Sequence, residues 1–106
     1  MKGFGGGMQQ LMRQANQMQS KMKKAQEELA SREFAGSSGG DAVKVIALGS
    51  NVLKSVEIQA DVISAGDKEM LQDLILTAAN AALGLAKTTS EQEMAKITGG
   101  FNLPGM

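Results

Sequence analysis

The start of the chain carries an apolar stripe with the spacing of a long α-helix. From residue 8 to residue 29, apolar side chains recur at alternating steps of three and four, which keeps one seam of a helix facing a partner. The stripe consists of Met8, Leu11, Ala15, Met18, Met22, Ala25 and Leu29. The positions between these residues are mostly glutamines and cations, so the other faces of the helix are polar. Such a helix has to cover its apolar side, either within the chain or against another molecule.

Positive charge is concentrated in the same segment. Residues 1–25 contain five cations and no acid, although the whole chain has 11 Lys and Arg against 11 Asp and Glu. Cations on an exposed helix neutralise phosphates and supply sequence-independent affinity for DNA. The charges alone are equally compatible with a polyanionic partner and with a solvated face. The cations that lie off the stripe are Arg13, Lys21, Lys23 and Lys24.

Two other interpretations of these cations stay open. They can form a solvated face that only keeps the protein soluble, or they can attract the helix to a membrane surface. The glutamines beside the stripe and the absence of Trp weigh against a membrane. The chain also has no Tyr and only three Phe, so it offers little for stacking single-stranded bases. If the protein binds nucleic acid, duplex DNA is the better target.

The methionines of the stripe also have two interpretations. Met side chains repack around varied partners, so Met8, Met18 and Met22 can form a protein-binding surface. A helical Met stripe is more often a core or self-association seam. We therefore expect the stripe to be a dimer or core seam, with an unknown protein partner as the alternative.

Composition argues against an enzyme. The chain has no His and no Cys, which removes the usual general base, any disulfide and any thiolate metal site. The glycines of residues 3–7 do not form a dinucleotide-binding motif, because no strand precedes them. Glu69 and Asp73 lie one turn apart, and we interpret them as charges at a helix N-terminus rather than as cation ligands. We expect no catalytic residue, no metal site and no cofactor.

The order of the periodic segments predicts an α+β fold. We expect a flexible Gly-rich lead at residues 1–7, one dimerising domain at residues 8–98 with a projecting N-terminal helix, and a flexible tail at residues 99–106. The helix should run from about residue 8 to about residue 31. A three-stranded antiparallel meander should follow, with strands at residues 34–38, 43–48 and 52–58. No segment approaches the roughly 18 consecutive apolar residues of a membrane span, so we expect a cytoplasmic protein.

A long and a short helix should complete the domain. Asp67 is a good N-cap for the long helix, which we expect to stop at residues 87–89. Ser90 and Glu93 match a capping box, which predicts a new short helix up to about residue 98. The expected buried side of the long helix is Met70, Leu71, Leu74, Ile75, Ala78, Ala81, Ala82 and Leu85.

The size of the body predicts a homodimer. Without the projecting helix the body has only about 60 residues, and domains of that size are marginally stable alone. A three-stranded sheet also leaves edges that need protection. A second copy would cover apolar faces and share the sheet edges.

Short motifs along nearly the whole chain occur in an order and spacing that resemble a known family. They are LMRQA (11–15), MQ (18–19), QEEL (26–29), SGG (38–40), VKV (43–45), VEI (56–58), DKEMLQDL (67–74), ANAA (79–82) and MAKITGG (94–100). With the Gly- and Met-rich start, this set resembles the YbaB/EbfC nucleoid-associated proteins of bacteria.

The resemblance implies a tweezer-like α+β homodimer that binds duplex DNA with little sequence preference in the nucleoid. It places DNA contacts on the terminal helices, and so on Arg13, Lys21, Lys23 and Lys24, with Lys87 and Lys96 as further candidates. The leading hypothesis is a non-enzymatic DNA-binding homodimer that acts through phosphate contacts. The alternative is a protein-interaction or chaperone-like module that uses the Met-rich stripe.

Overall fold

The computed structural model describes residues 2–99, with side chains from Gly7 onward. The three strands form one antiparallel sheet in the order β1-β2-β3, so the predicted meander and the α+β class are confirmed. Three helices flank the sheet in sequence, one before it and two after it. The elements are α1 (Lys2–Ser31), β1 (Glu33–Ser38), β2 (Val43–Leu48), β3 (Leu53–Ile58), α2 (Ala60–Ser64) and α3 (Lys68–Gly99).

The N-terminal helix is longer than the apolar spacing predicts. It begins at Lys2 rather than near residue 8. The apolar spacing does not indicate this earlier start, because the first residues of the helix are mostly glycines and carry no apolar stripe. With 30 residues, α1 is about 45 Å long. The protein is accordingly elongated, with extents of 77 × 25 × 16 Å. The division into a lead, a domain and a tail stays a prediction, and residues 100–106 lie outside the described residues.

The predicted break near residues 87–89 is wrong, because α3 continues without interruption to Gly99. Ala86 and Met94, on either side of the predicted break, pack in the same cluster with Leu29 and Phe34. Thr and Ser lower helix propensity by only about 0.7 kcal/mol or less per residue, so this packing outweighs the capping signal of Ser90. The short helix α2 precedes the long one and was not predicted.

The cap at the start of α3 is as expected. Asp67 Oδ1 accepts a hydrogen bond of 3.0 Å from the Met70 N–H group. This bond satisfies one of the amide groups that a helix N-terminus leaves without an intrahelical partner. The start of the helix that crosses the sheet is therefore fixed by the local sequence.

The core lies between α3 and one face of the sheet. Val43, Val45 and Ala47 alternate along β2 and are fully buried against Ala78 and Ala82 of α3. The contact is close because small residues meet on both sides. A side chain at Gly36 of β1 would collide with the α3 backbone at Ala78 O and Ala82 N. Three residues of the expected buried side are exposed instead, namely Met70, Ala81 and Leu85.

The base of α1 is fixed to the β2–β3 turn. The Gly49 N–H donates to Arg32 O at 3.1 Å, and the Ser50 N–H donates to Ala30 O at 3.3 Å. These bonds satisfy backbone carbonyls at the C-terminus of the helix, which lack partners within it. A side chain at Gly49 would collide with Leu29 O, so the turn lies directly against the helix end.

Strand β3 is an exposed edge of the sheet. A bulge between Ile46 and Ala47 shifts the register, so that Ala47 pairs with Leu53 and Val45 pairs with Val56. The bulge places Leu53 on the same side of the sheet as the buried Ala47. Leu53 and Val56 are nevertheless each 44% exposed, because α3 packs mainly on β1 and β2.

Candidate nucleic-acid interface

The apolar stripe of α1 divides into an inner and an outer part. The inner part is covered: Leu29 is buried, and Met18, Met22 and Ala25 are half-buried. Leu29 packs in a cluster with Phe34, Ala86 and Met94, and α1 contacts α3 along this part of the molecule. From Gly7 to Gln17 every residue is exposed. We call the outer part of the stripe, Met8, Leu11 and Ala15 with the neighbouring Met12, the outer stripe.

The four cations predicted on α1 are all exposed. Arg13, Lys21, Lys23 and Lys24 lie within 12 residues of one helix, which corresponds to about 17 Å along its axis. Within residues 7–99 the ion pairs are Lys54–Glu33 at 2.7 Å and Lys96–Glu93 at 3.5 Å. The α1 cations take part in neither pair. Their charge is therefore available to a polyanion in solution.

Neutral polar side chains extend this cationic surface, and the charge argument alone did not find them. Gln9, Arg13, Asn16, Gln17 and Ser20 follow one another at spacings that place them on one side of α1, where together with Met12 they border a shallow surface region. Amide and hydroxyl groups donate hydrogen bonds to phosphate oxygens as Arg and Lys do. The signal that could have found them is the helical spacing of the polar residues opposite the stripe. We call this side of α1, with Lys24, the polar face.

The two α3 candidates lie in different surroundings. Lys96 is exposed and already paired with Glu93. Lys87 lines an open cleft of about 600 Å³ between α3 and the β2–β3 turn, together with Asn51, Asn80 and Glu91. An acid therefore accompanies each of these lysines. The structure brings the four α1 cations together on one helix and leaves Lys87 and Lys96 with weaker positive surroundings.

The described residues place their chemistry on the surface. No polar or charged residue is buried in the part of the chain with described side chains. In the same part, no group of three or more acidic, His or Cys side chains is arranged to hold a metal ion. No helix within the described residues has the length and apolarity needed to cross a membrane.

The fold and the surface together define a small α+β protein that presents an exposed cationic helix from a compact sheet-and-helix body. The sequence profile of the YbaB/EbfC DNA-binding family matches residues 4–101. The chain belongs to this family. The resemblance inferred from the short motifs is thus confirmed, and the family is one of nucleoid-associated DNA-binding proteins rather than of enzymes.

Curated relatives resemble the chain over almost its whole length. A nucleoid-associated protein of Clostridium novyi is 51% identical over 106 residues, which covers 98% of this chain and 93% of that protein. A nucleoid-associated protein of Clostridium kluyveri is 44% identical over 104 residues, covering 98% and 91%. A third, from Ruminiclostridium cellulolyticum, is 48% identical over 105 residues, covering 98% and 91%.

A solved structure shows the same fold. The crystal structure of an uncharacterized protein, HP0035 from Helicobacter pylori, superposes with a TM-score of 0.65 and 21% sequence identity. The match covers 79% of this chain and 88% of the other. The arrangement of a long first helix, a three-stranded sheet and a long last helix is therefore shared at low sequence identity.

Proposed function

We propose that this protein binds duplex DNA as a homodimer in the bacterial nucleoid, mainly through phosphate contacts and with little sequence preference. The observation that carries the proposal is the set of four exposed cations on one helix, none of them in a salt bridge within residues 7–99. Membership of a DNA-binding family supports DNA as the polyanion. The names of the relatives support the nucleoid, and hence the cytoplasm, as the location.

Contacts to phosphates explain why little sequence preference is expected. Lys and Arg neutralise backbone charge that is the same for every base pair. The glutamines and Asn16 of the polar face add hydrogen bonds to the same oxygens. Phe34 is buried, so among the described side chains no aromatic ring is free to stack on a base. Binding should therefore depend strongly on salt and weakly on base sequence.

The homodimer we propose uses the β3 edge. Strand β3 has a free edge and exposes Leu53 and Val56 by 44% each, and Val52, just before the strand, is 53% exposed. Leu76 on α3 and Ile63 on α2 are also exposed, by 61% and 58%. Asn80 and Leu83 line the cleft beside the β2–β3 turn. Leu76 lies one turn before Asn80 and two turns before Leu83, so it is on the same side of α3, the side nearest β3.

An apolar free edge is a template for pairing with another strand. A second copy of the chain is the partner that fits this edge best, because the same edge of the partner offers matching hydrogen-bond groups and matching apolar side chains. Both edges expose small or charged residues, but β1 is less suited to this role because its large apolar side chain, Phe34, is already buried, whereas β3 exposes Leu53 and Val56. The contact would bring two α1 helices, and eight cations, into one particle.

The test is a titration of a random-sequence duplex followed by fluorescence anisotropy at 50 and 200 mM salt. If about six cations of the dimer contact phosphates, affinity should fall about a thousandfold between these salt concentrations. A variant with Lys21, Lys23 and Lys24 replaced by Gln should bind far more weakly and lose about one unit of salt slope per phosphate contact removed. Because all three side chains are exposed, its unfolding should not change.

Two controls make the result decisive. Replacing Lys44 and Lys68, which are exposed cations outside α1, by Gln removes charge without touching the proposed surface. Light scattering at the same protein concentration should report a dimer in every case. Binding that ignores salt, or an equal loss with the control variant, would contradict phosphate contact by α1. A well-folded monomer at micromolar concentration would contradict the dimer.

The exposed outer stripe favours a second candidate function, namely a protein-interaction module. Met8, Leu11 and Met12 are 59%, 55% and 62% exposed, and exposed methionines suit varied partner helices. Polar substitutions at Met8 and Met12 would then abolish partner capture and leave DNA affinity unchanged. Failure of the wild-type protein to bind duplex DNA at 50 mM salt would favour this function over the first.

A further inference from the structure

The outer stripe is the uncovered continuation of a helical seam that the chain itself covers farther along. Leu29 is 6% exposed, whereas Leu11, five turns away on the same side, is 55% exposed. The spacing of the stripe does not change between these points, so the same side of α1 packs at one end and faces solvent at the other. A seam with such spacing is suited to a second helix.

The charges around the outer stripe favour a second copy of α1 as that helix. Within residues 8–20 the single charged residue is Arg13. Arg13 lies about 200° around the helix from Leu11, and so on nearly the opposite side. The residues that flank the stripe are amides, at Gln10, Gln14 and Gln19. Two outer stripes can therefore meet without bringing like charges together, and the amides can hydrogen-bond to each other along the contact.

The lysines determine the direction of such a pair. In a parallel pair, Lys21, Lys23 and Lys24 of both helices would lie side by side and repel each other. In an antiparallel pair, the two outer stripes run in opposite directions, and the groups of Lys21, Lys23 and Lys24 are at opposite ends of the contact. The antiparallel arrangement also leaves both polar faces on the outside, where Arg13 remains exposed.

The size of the contact makes it weak. Burying the exposed parts of Met8, Leu11, Met12 and Ala15 on both helices removes on the order of 800 Å² from water, below the roughly 1,200 Å² of stable interfaces. Such a contact does not hold two free molecules together at low concentration. It forms when two molecules are already close, because a shared scaffold raises their effective concentration to about the millimolar range.

We infer that the outer stripes of two dimers pair antiparallel when the dimers are bound to DNA, and that this contact links two duplex segments. The inference rests on the proposed function, since DNA supplies the proximity. DNA contacts the polar face and the second dimer contacts the outer stripe, so the two surfaces use different sides of the same helix, with Met12 at the border between them.

The test is a capture assay with two duplexes. One duplex is immobilised on beads, and a second, fluorescent duplex is added with the protein. The variant Met8→Gln with Leu11→Gln removes apolar area from the outer stripe, and should lower capture of the fluorescent duplex at least about tenfold. The matched control, Met8→Leu with Leu11→Met, keeps the apolar area and should retain capture.

Measuring the affinity for a duplex that is long enough for only one dimer separates the linking contact from the proposed DNA binding. This affinity should be the same for wild type, variant and control. Unchanged capture by the Gln variant would overturn the linking contact and leave the proposed function intact. If the wild type does not bind the short duplex at low salt, the proposed function fails, and linkage of duplexes fails with it.

Cross-linking tests the contact itself without DNA. The chain has no Cys, so Ala15→Cys and Asn16→Cys each introduce a single thiol, at adjacent positions on the outer stripe and the polar face. At high protein concentration, a short bismaleimide should join Ala15→Cys chains in pairs, and gel filtration without denaturant should then show two dimers linked together; Asn16→Cys should give much less of this product. Equal cross-linking at both positions, or a cross-linked Ala15→Cys protein that still elutes as a single dimer, would overturn the antiparallel pairing.

Discussion

The contact between Gly36 and α3 allows a sharp test of the fold. In Gly36→Ala, the added methyl group would collide with Ala78 O and Ala82 N, which are backbone atoms of a packed helix. A side chain can rotate away from a collision, but a backbone atom moves only if α3 moves. The helix also rests on fully buried residues of β2, so its displacement opens the core at Val45.

The size of the stability loss in Gly36→Ala follows from the kind of atoms in contact. Overpacking of a core costs about 1–3 kcal/mol, and contact with backbone on both sides places this substitution at the upper end. For a domain of this length, that free energy corresponds to a fall in Tm of about 10–20 °C. The assay is thermal unfolding followed by far-UV circular dichroism, at one protein concentration, because dimer formation makes Tm depend on concentration.

The same substitution at Gly84 is the matched control. Gly84 lies within α3 with no neighbouring atom where a methyl group would be added. Gly→Ala in an exposed helix interior stabilises by about 0.5–1 kcal/mol, so Tm should rise by a few degrees. Opposite signs at the two glycines are expected. An unchanged Tm for Gly36→Ala would refute the close approach of β1 and α3.

Three further substitutions test the base of α1, the dimer edge and the start of α3. Leu29→Ala should lower the free energy of unfolding by about 2–4 kcal/mol in a urea titration, because the side chain is buried beside Phe34; a loss below 1 kcal/mol would contradict this packing. Val56→Lys should convert the dimer into a monomer in light scattering while far-UV circular dichroism is retained, and an unchanged mass would exclude the β3 edge. Asp67→Ala should cost about 1 kcal/mol in the same titration, whereas Asp67→Asn, which keeps an acceptor oxygen, should cost less.

The sequence predicted the elements that local patterns determine. The β-branched run of β2, the turn with Asn51 at φ 67° and the cap at Asp67 each depend on a few neighbouring residues. The break in α3 was predicted wrongly because Ser90 has the local pattern of a cap, whereas the helix is held by Met94 packing near Leu29, far away in the sequence. Tertiary packing overrides such local signals.

The candidate site was predictable to a similar extent. The four cations of α1 follow from charge and spacing, and the structure shows them exposed. The point at which the stripe becomes uncovered does not follow from spacing, because it depends on how far α3 extends past Ala86. The bulge that places Leu53 opposite Ala47 was also beyond the simple alternation of apolar residues.

The distribution of acids explains why DNA contact should be confined to the acid-free part of α1, which ends at residue 25. All 11 acidic residues follow residue 25, where they outnumber six cations, whereas residues 1–25 carry five cations alone. The first acids, Glu27 and Glu28, lie just before Leu29, where α1 reaches the body. The change of charge thus lies next to Leu29, the buried residue of the stripe. A duplex attracted to residues 1–25 is repelled by the acidic body, and because Lys21, Lys23 and Lys24 lie off the stripe, phosphate contact and packing against the core use different sides of one helix.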